Sequence, residues 1–251
     1  MLQPGDPLYV KGRSQSKCLL DINGRPMVQW VLDALNKAVS VESIVIVGFD
    51  HANGLTCAKP IVYLPDNGGM LDNLLAGAKY IAPKNAAATH VLGVSGDIPA
   101  LTGEMVDWII ASVMAQPTDL CLTLVARVAM ENRFPTSRRT YFKMRDLEFC
   151  AGDIHVVGLP LLLDGDTGPW RKLIVARKKP FRQAALIGFG TILRFLTGRL
   201  TLAETEQRVK TRLGITGRAL VCPYPETGMD VDKPHQLAII RDFLNRKSNT
   251  S

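Results

Sequence analysis

Segments patterned as strands alternate with segments patterned as helices through most of this 251-residue chain, and that order constrains the fold more than any single motif. Successive strands joined through helices must cross over the sheet, which sets the strands parallel and covers both faces with helices. The first helix is read over 27–35: Pro26 stands at its start, and the apolar positions 27, 28, 31, 32 and 35 share one face. A buried strand follows at 43–49, then a short strand at 60–63, a glycine-rich turn and an amphipathic helix at 70–81. The strand at 89–95 is broken by Gly96-Asp97-Ile98-Pro99, and Thr102 is placed to cap a helix over 103–115. After a strand at 119–128 the rhythm changes. A hairpin at 140–144 and 147–149 and another strand at 154–157 form a β-rich insertion. Helices at 170–175, 180–197 and 202–213, a strand at 219–222 and a closing helix at 234–244 complete an α/β chain, expected to be one domain over 1–251.

With 47% apolar and 21% charged residues, composition excludes a disordered chain. No apolar run reaches the roughly 18 residues that span a bilayer, and the N-terminus lacks a signal-peptide layout, so a cytoplasmic location is expected. The five cysteines are scattered, with no CxxC spacing, and read as reduced thiols. His51, His90, His155 and His235 show no zinc-like spacing. The net charge of +7 favours an anionic partner. Much of it lies in Arg171, Lys172, Arg177, Lys178, Lys179 and Arg182, with further basic residues up to Arg212. No aromatic-rich motif accompanies these cations, so a nucleic acid is not the expected partner. The helix around 184–197 reads as packed on protein or as a homodimer contact in preference to a membrane contact, since apolar faces normally bury against protein.

Three separated segments carry candidate chemistry. Lys17 ends the polar run Gly12-Arg13-Ser14-Gln15-Ser16-Lys17, which suits a phosphate cradle, although a loop lysine is also commonly a solvated charge. Asp97 falls at the C-terminal end of a buried strand, the edge where open α/β sheets bind ligands; the alternative is a turn-capping aspartate. Asp230 and Asp232 stand just before the closing helix, which Asp232 is equally suited to cap.

Taken in order, Lys17 with Gly24-Arg25-Pro26-Met27, Gly96-Asp97-Ile98-Pro99, and Asp230-Val231-Asp232-Lys233-Pro234-His235-Gln236-Leu237 resemble the motifs of the MobA-like NTP transferases. These are nucleotidyltransferases of the molybdenum-cofactor guanylyl- and cytidylyltransferase type, within the nucleotide-diphospho-sugar transferase fold. The resemblance implies a Rossmann-like, mixed, mostly parallel sheet with helices on both faces. It implies transfer of a nucleoside monophosphate from an NTP to a small phosphorylated or sugar-like acceptor, with Mg²⁺ as cofactor and release of pyrophosphate. Lys17 and Asp97 would be catalytic, and Asp97, Asp230 and Asp232 would hold the metal. Gly12, Arg13, Lys17, Gly68, Gly69, Asn73 and Gly96 would bind the nucleotide; Gly152, Asp153, Arg177 and Lys178 would bind the acceptor. Residues 1–7 stand where such relatives have completed a first strand and an AGG turn, and the Arg-Met-Gly before the lysine is missing. Two other readings therefore stay open, a non-catalytic nucleotide-binding relative and a basic module for nucleic acid or an anionic membrane.

Overall fold

The computed structural model describes residues 6–8, 16–49, 54–163, 171–172, 182, 186 and 188–248. A tight hairpin, β1 (Asp21–Ile22) and β2 (Arg25–Pro26), turns through Asn23 and Gly24, both at positive φ, as a two-residue hairpin connection requires. It leads into α1 (Met27–Lys37), followed by β3 (Ile44–Val47), β4 (Ile61–Leu64), α2 (Met70–Ile81) and β5 (His90–Val94). Helix α3 (Gly103–Met114) starts at Thr102, whose side-chain oxygen accepts the Met105 N–H at 3.4 Å, as its position predicts. Next come β6 (Leu120–Ala126), α4 (Arg127–Arg133), β7 (Phe142–Lys143), β8 (Glu148–Gly158) and α5 (Leu159–Leu163). The last described elements are α6 (Phe189–Leu196), α7 (Leu202–Leu213), β9 (Gly217–Cys222) and α8 (Pro234–Ser248).

The larger sheet has the order β5-β8-β6-β9, with β7 on the edge of β8. Strand β9 runs parallel to β6, while β8 runs antiparallel to β5, β6 and β7. Strands β5, β6, β7 and β9 therefore share one direction and β8 alone is reversed, which is the mixed, mostly parallel sheet expected. One face carries α1 and α3, where Val28, Val31, Leu32, Val106 and Ile109 pack with Ile44, Ile154, Val156 and Leu220. The opposite face carries α2 and α5, where Leu71, Leu75, Ala78 and Leu162 pack with Val91, Leu120 and Val157. A third cluster joins Ile22, Met27, Val125, Met130, Met229, Val231 and Ile240, and so anchors the segment before α8 beneath the β1–β2 hairpin.

Strands β3 and β4 form their own parallel pair. The same helix covers this pair and the larger sheet: Gly77 of α2 faces Val47 of β3, and Leu74 of α2 lies against Gly93 of β5. Yet among the described residues no backbone hydrogen bond joins β3 to β5. Val45, Ile46 and Val47 on one side, and Leu92 and Val94 on the other, are only half-buried.

Two expectations change. The strand at 154–157 and the second arm of the hairpin are one strand, β8, with Ala151-Gly152-Asp153 as its extended middle. Long-range packing explains this. The register of β6 against β8 shifts between Leu122 and Leu124, so Thr123 presses onto Gly152, where an added Cβ would meet Thr123 Oγ1 at 2.2 Å. The strand read over 119–128 ends at Ala126, and α4 takes over, its exposed face carrying the Arg127–Glu131 pair one turn apart. On α6, Leu193 and Leu196 are 66% and 59% exposed, so part of its apolar surface is not spent on the core. The helix read over 170–175 and the first part of that over 180–197 fall largely outside the described residues. All five cysteines are free, and no described helix is long and apolar enough to cross a membrane.

Candidate active site

The turn that follows β5 is the meeting point of four segments. Ser95 N–H donates to the Asp153 carbonyl at 2.9 Å, which ties the end of β5 to β8. Val231 N–H donates to the Asp97 carbonyl at 3.0 Å, which brings the segment before α8 onto the same turn. Gly96 leaves room for the fourth: a Cβ there would lie 3.1 Å from Cys18 Sγ, so its absence lets the 3-10 turn Lys17–Leu19 lie close. Gly228 does the same for Pro225–Gly228, where a Cβ would meet the Ala151 carbonyl at 3.1 Å.

These backbone contacts draw together side chains far apart in sequence. Lys17 Nζ lies 2.5 Å from both Asp97 Oδ2 and Asp232 Oδ1. Burial works against the charged ammonium, but the attraction of Asp97 and the hydrogen bonds to Asp232 and Asp97 outweigh it, holding the Lys17 pKa above its ordinary value. Ser95 Oγ donates to Asp97 Oδ1 at 2.5 Å. The Asp232 N–H is held by Gln236 Oε1 at 2.9 Å, which orients the residue from the first turn of α8. Arg139 Nη1 donates to Asp230 Oδ1, and Arg139 Nη2 lies 4.0 Å from Asp153 Oδ2. Burial, then the negative charge of Asp97, push the Asp153 carboxyl up to about 7 against the opposing pull of Arg139. Burial and Asp97 likewise hold the Cys18 thiol at about 11, so it is not a ready nucleophile.

Carboxylate oxygens of Asp97, Asp230 and Asp232 lie within 4.8 Å of one another. Such a set of oxygen donors fits a hard divalent cation, with modest closing needed to reach coordination distances of about 2.0–2.6 Å. Two side-chain cations beside the carboxylates suit the arrangement to a phosphate-bearing ligand.

Of the residues singled out in the sequence, Lys17, Gly96, Asp97, Asp153, Asp230 and Asp232 thus come together. Gly152 neighbours them as the packing glycine of β8. Gly68, Gly69 and Asn73 form a separate closed turn at the start of α2. There Asn73 Oδ1 accepts the Asn67 N–H at 2.7 Å, Asn73 Nδ2 donates to Asp66 Oδ1 at 2.9 Å, and Gly68 N–H donates to the same oxygen at 3.1 Å. Gly12, Arg13, Arg177 and Lys178 lie outside the described residues. Sequence reasoning missed Arg139 and Ser95. In sequence, Arg139 is one of two adjacent arginines in a polar loop, a pattern that ordinarily reads as solvated charge, and only the fold reveals that its side chain is 14% exposed.

The model of the MobA-like NTP transferase domain matches residues 11–160, more than half of the chain. The chain belongs to that family. The matched region of this MobA-like NTP transferase contains Lys17, Asp97 and Asp153 and ends before Asp230 and Asp232. The chain is similar to a 3-deoxy-manno-octulosonate cytidylyltransferase of Bdellovibrio bacteriovorus, 29% identical over 124 residues that make up 47% of this chain and 48% of that one. It thus spans about half the length of the curated relative it matches. A structure described as a hypothetical transferase from Thermus thermophilus superposes with a TM-score of 0.75 at 38% identity, covering 88% of this chain and 90% of that one. A CMP:2-keto-3-deoxy-manno-octonic acid synthetase complexed with CTP superposes with a TM-score of 0.61 at 16% identity, covering 95% of each chain. That likeness is one of fold, the Rossmann-like fold of nucleotidyltransferases.

Proposed function

We propose that this MobA-like NTP transferase moves a nucleoside monophosphate from an NTP to a small phosphorylated or sugar-like acceptor in the cytoplasm. The observation that carries the reading is the convergence of Lys17 with Asp97, Asp230 and Asp232 at the C-terminal end of β5. In the reaction an acceptor oxygen attacks the α-phosphorus, the bond from that phosphorus to the β-bridging oxygen breaks, and pyrophosphate leaves with the bonding pair. Lys17 turns its ammonium to the triphosphate oxygens and offsets the charge that grows on the leaving group. Asp97, Asp230 and Asp232 would hold Mg²⁺, which when bound neutralises phosphate oxygens beside the reacting phosphorus. Asp153, on the β8 side of the cluster, hydrogen-bonds the acceptor and takes up its proton when the attacking group is a hydroxyl. Gly12, Arg13, Gly68, Gly69, Asn73 and Gly96 are assigned to the nucleotide, and Gly152, Arg177 and Lys178 to the acceptor.

CTP is the donor to test first, because the curated relative is named a cytidylyltransferase and the fold relative is complexed with CTP. The experiment measures pyrophosphate release from each of the four NTPs with Mg²⁺ over a panel of sugar acids and sugar phosphates. Activity with at least one pair, lost in Asp97→Ala, is the expected result. Equal activity of Asp97→Ala and wild type would refute the assignment, and NTP binding in calorimetry with no turnover on any acceptor would favour a non-catalytic nucleotide binder.

A further inference from the structure

Asp230 belongs to the carboxylate triad, yet its charge is already met. Arg139 bonds it through Nη1 and sits with only 14% of its side chain exposed. On the other flank, the Lys17 ammonium lies 2.5 Å from both Asp97 and Asp232. The three carboxylates therefore face two side-chain cations, an ammonium on one side and a guanidinium on the other. Without them Asp97, Asp153 and Asp230 would crowd like charges into a poorly solvated space beside the exposed Asp232, which is costly. The arrangement is also incompletely satisfied. Arg139 Nε and Asp153 Oδ2 are both buried with no hydrogen-bond partner. A buried donor and a buried acceptor without hydrogen bonds, on side chains that approach to 4.0 Å, point to a second arrangement in which they are used.

We propose that Arg139 is the counter-ion of Asp230 in the cation-free protein and leaves it when a divalent cation binds the triad. The proposal rests on the reading of Asp97, Asp230 and Asp232 as cation ligands. Its consequence is thermodynamic coupling. A cation arriving alone displaces the ammonium and the guanidinium from their carboxylates and leaves Arg139 only the more distant Asp153. A cation arriving with a nucleoside triphosphate brings the anion that both require. Metal and nucleotide then bind with positive coupling, and each tightens the other by the same factor.

The test titrates Mn²⁺ into the full chain and reads the free ion by electron paramagnetic resonance, for wild type, Arg139→Met and Arg139→Lys. In the expected result Arg139→Met binds Mn²⁺ alone at least about tenfold more tightly than wild type, since a competing unit charge a few ångströms from the site is gone. Arg139→Lys, whose shorter side chain leaves Asp230 more open, falls between the two and supplies the reading if circular dichroism shows Arg139→Met unfolded. Adding each NTP in turn tightens wild-type Mn²⁺ binding with at least one of them, and by less in Arg139→Met. A residue that only braced the site would, once removed, loosen the carboxylates and weaken Mn²⁺ binding. Unchanged or weaker Mn²⁺ affinity in the folded variants overturns the proposal, as does a wild type that binds no Mn²⁺. No acceptor and no turnover enter these measurements. A protein that behaves as expected here but releases no pyrophosphate counts against the proposed transfer reaction alone.

Discussion

Gly152 offers the sharpest quantitative test of how the site is held. An alanine methyl there would lie 2.2 Å from Thr123 Oγ1, 3.1 Å from the Thr123 carbonyl oxygen and 3.2 Å from Thr123 Cβ. Thr123 is 1% exposed, and its hydroxyl donates to the Ile154 carbonyl at 2.6 Å. Turning that hydroxyl aside leaves a buried carbonyl short of a partner, at a cost of about 1–3 kcal/mol. The contacts with the Thr123 backbone remain and force β8 away from β6, an overpacking cost of about 1–3 kcal/mol. Restricting the unfolded chain returns only about 0.4–1 kcal/mol. Gly152→Ala is therefore expected to lose about 2–4 kcal/mol, measured by urea unfolding followed by circular dichroism. In a Thr123→Ala background the closest contact is gone, and the penalty for Gly152→Ala should fall by at least about 1.5 kcal/mol in a double-mutant cycle. A loss below about 0.5 kcal/mol, or additive effects of the two substitutions, would refute the packing argument.

Two further substitutions probe parts remote from the carboxylates. Asp107 accepts the Val39 N–H at 2.9 Å and the Ser40 N–H at 2.8 Å; burial works against its charge, but these hydrogen bonds prevail and hold its pKa below the ordinary value. Its contribution is therefore present above the unfolded carboxylate pKa, near 4, and is lost as pH falls through the lower folded value. Asp107→Asn should lower urea stability by a constant amount above about pH 5, and the gap from wild type should close as pH falls below about 4. Thr201 and Glu204 form a reciprocal capping box at the start of α7, each side chain accepting the other's N–H at 3.2 Å. Thr201→Ala should lower stability by about 1 kcal/mol in urea unfolding without changing Mn²⁺ affinity.

What was legible in the sequence was what depends on neighbours along the chain. Periodicity alone places the helices 70–81 and 202–213 at the observed bounds, because one apolar face is enough to define each. The cap at Thr102 and the strand-edge position of Asp97 are local too. Residues whose roles depend on distant partners were less visible. Gly152 is needed in the middle of β8 because Thr123, on another strand, occupies the space beside it. Arg139 becomes a site residue only when the fold lays its loop over the segment before α8. Lys17 and Asp232, 215 positions apart, also read as a solvated charge and a helix cap, until the Val231–Asp97 backbone bond and the space beside Gly96 brought their segments to one turn.

Among the described residues, β3 and β5 belong to separate sheets. Asp97 and Asp153 ride on the larger sheet, and Val231 fastens Asp230 and Asp232 to it through a backbone bond. The Asp66–Asn73 turn, proposed to meet the nucleotide, follows β4 of the smaller pair. Hydrogen bonds hold each sheet internally, but between them the described contacts are side-chain packing through α1 and α2. Among the described residues the two halves of the proposed nucleotide site are thus joined through packed side chains, and a ligand that touches both would add polar contacts to that packing.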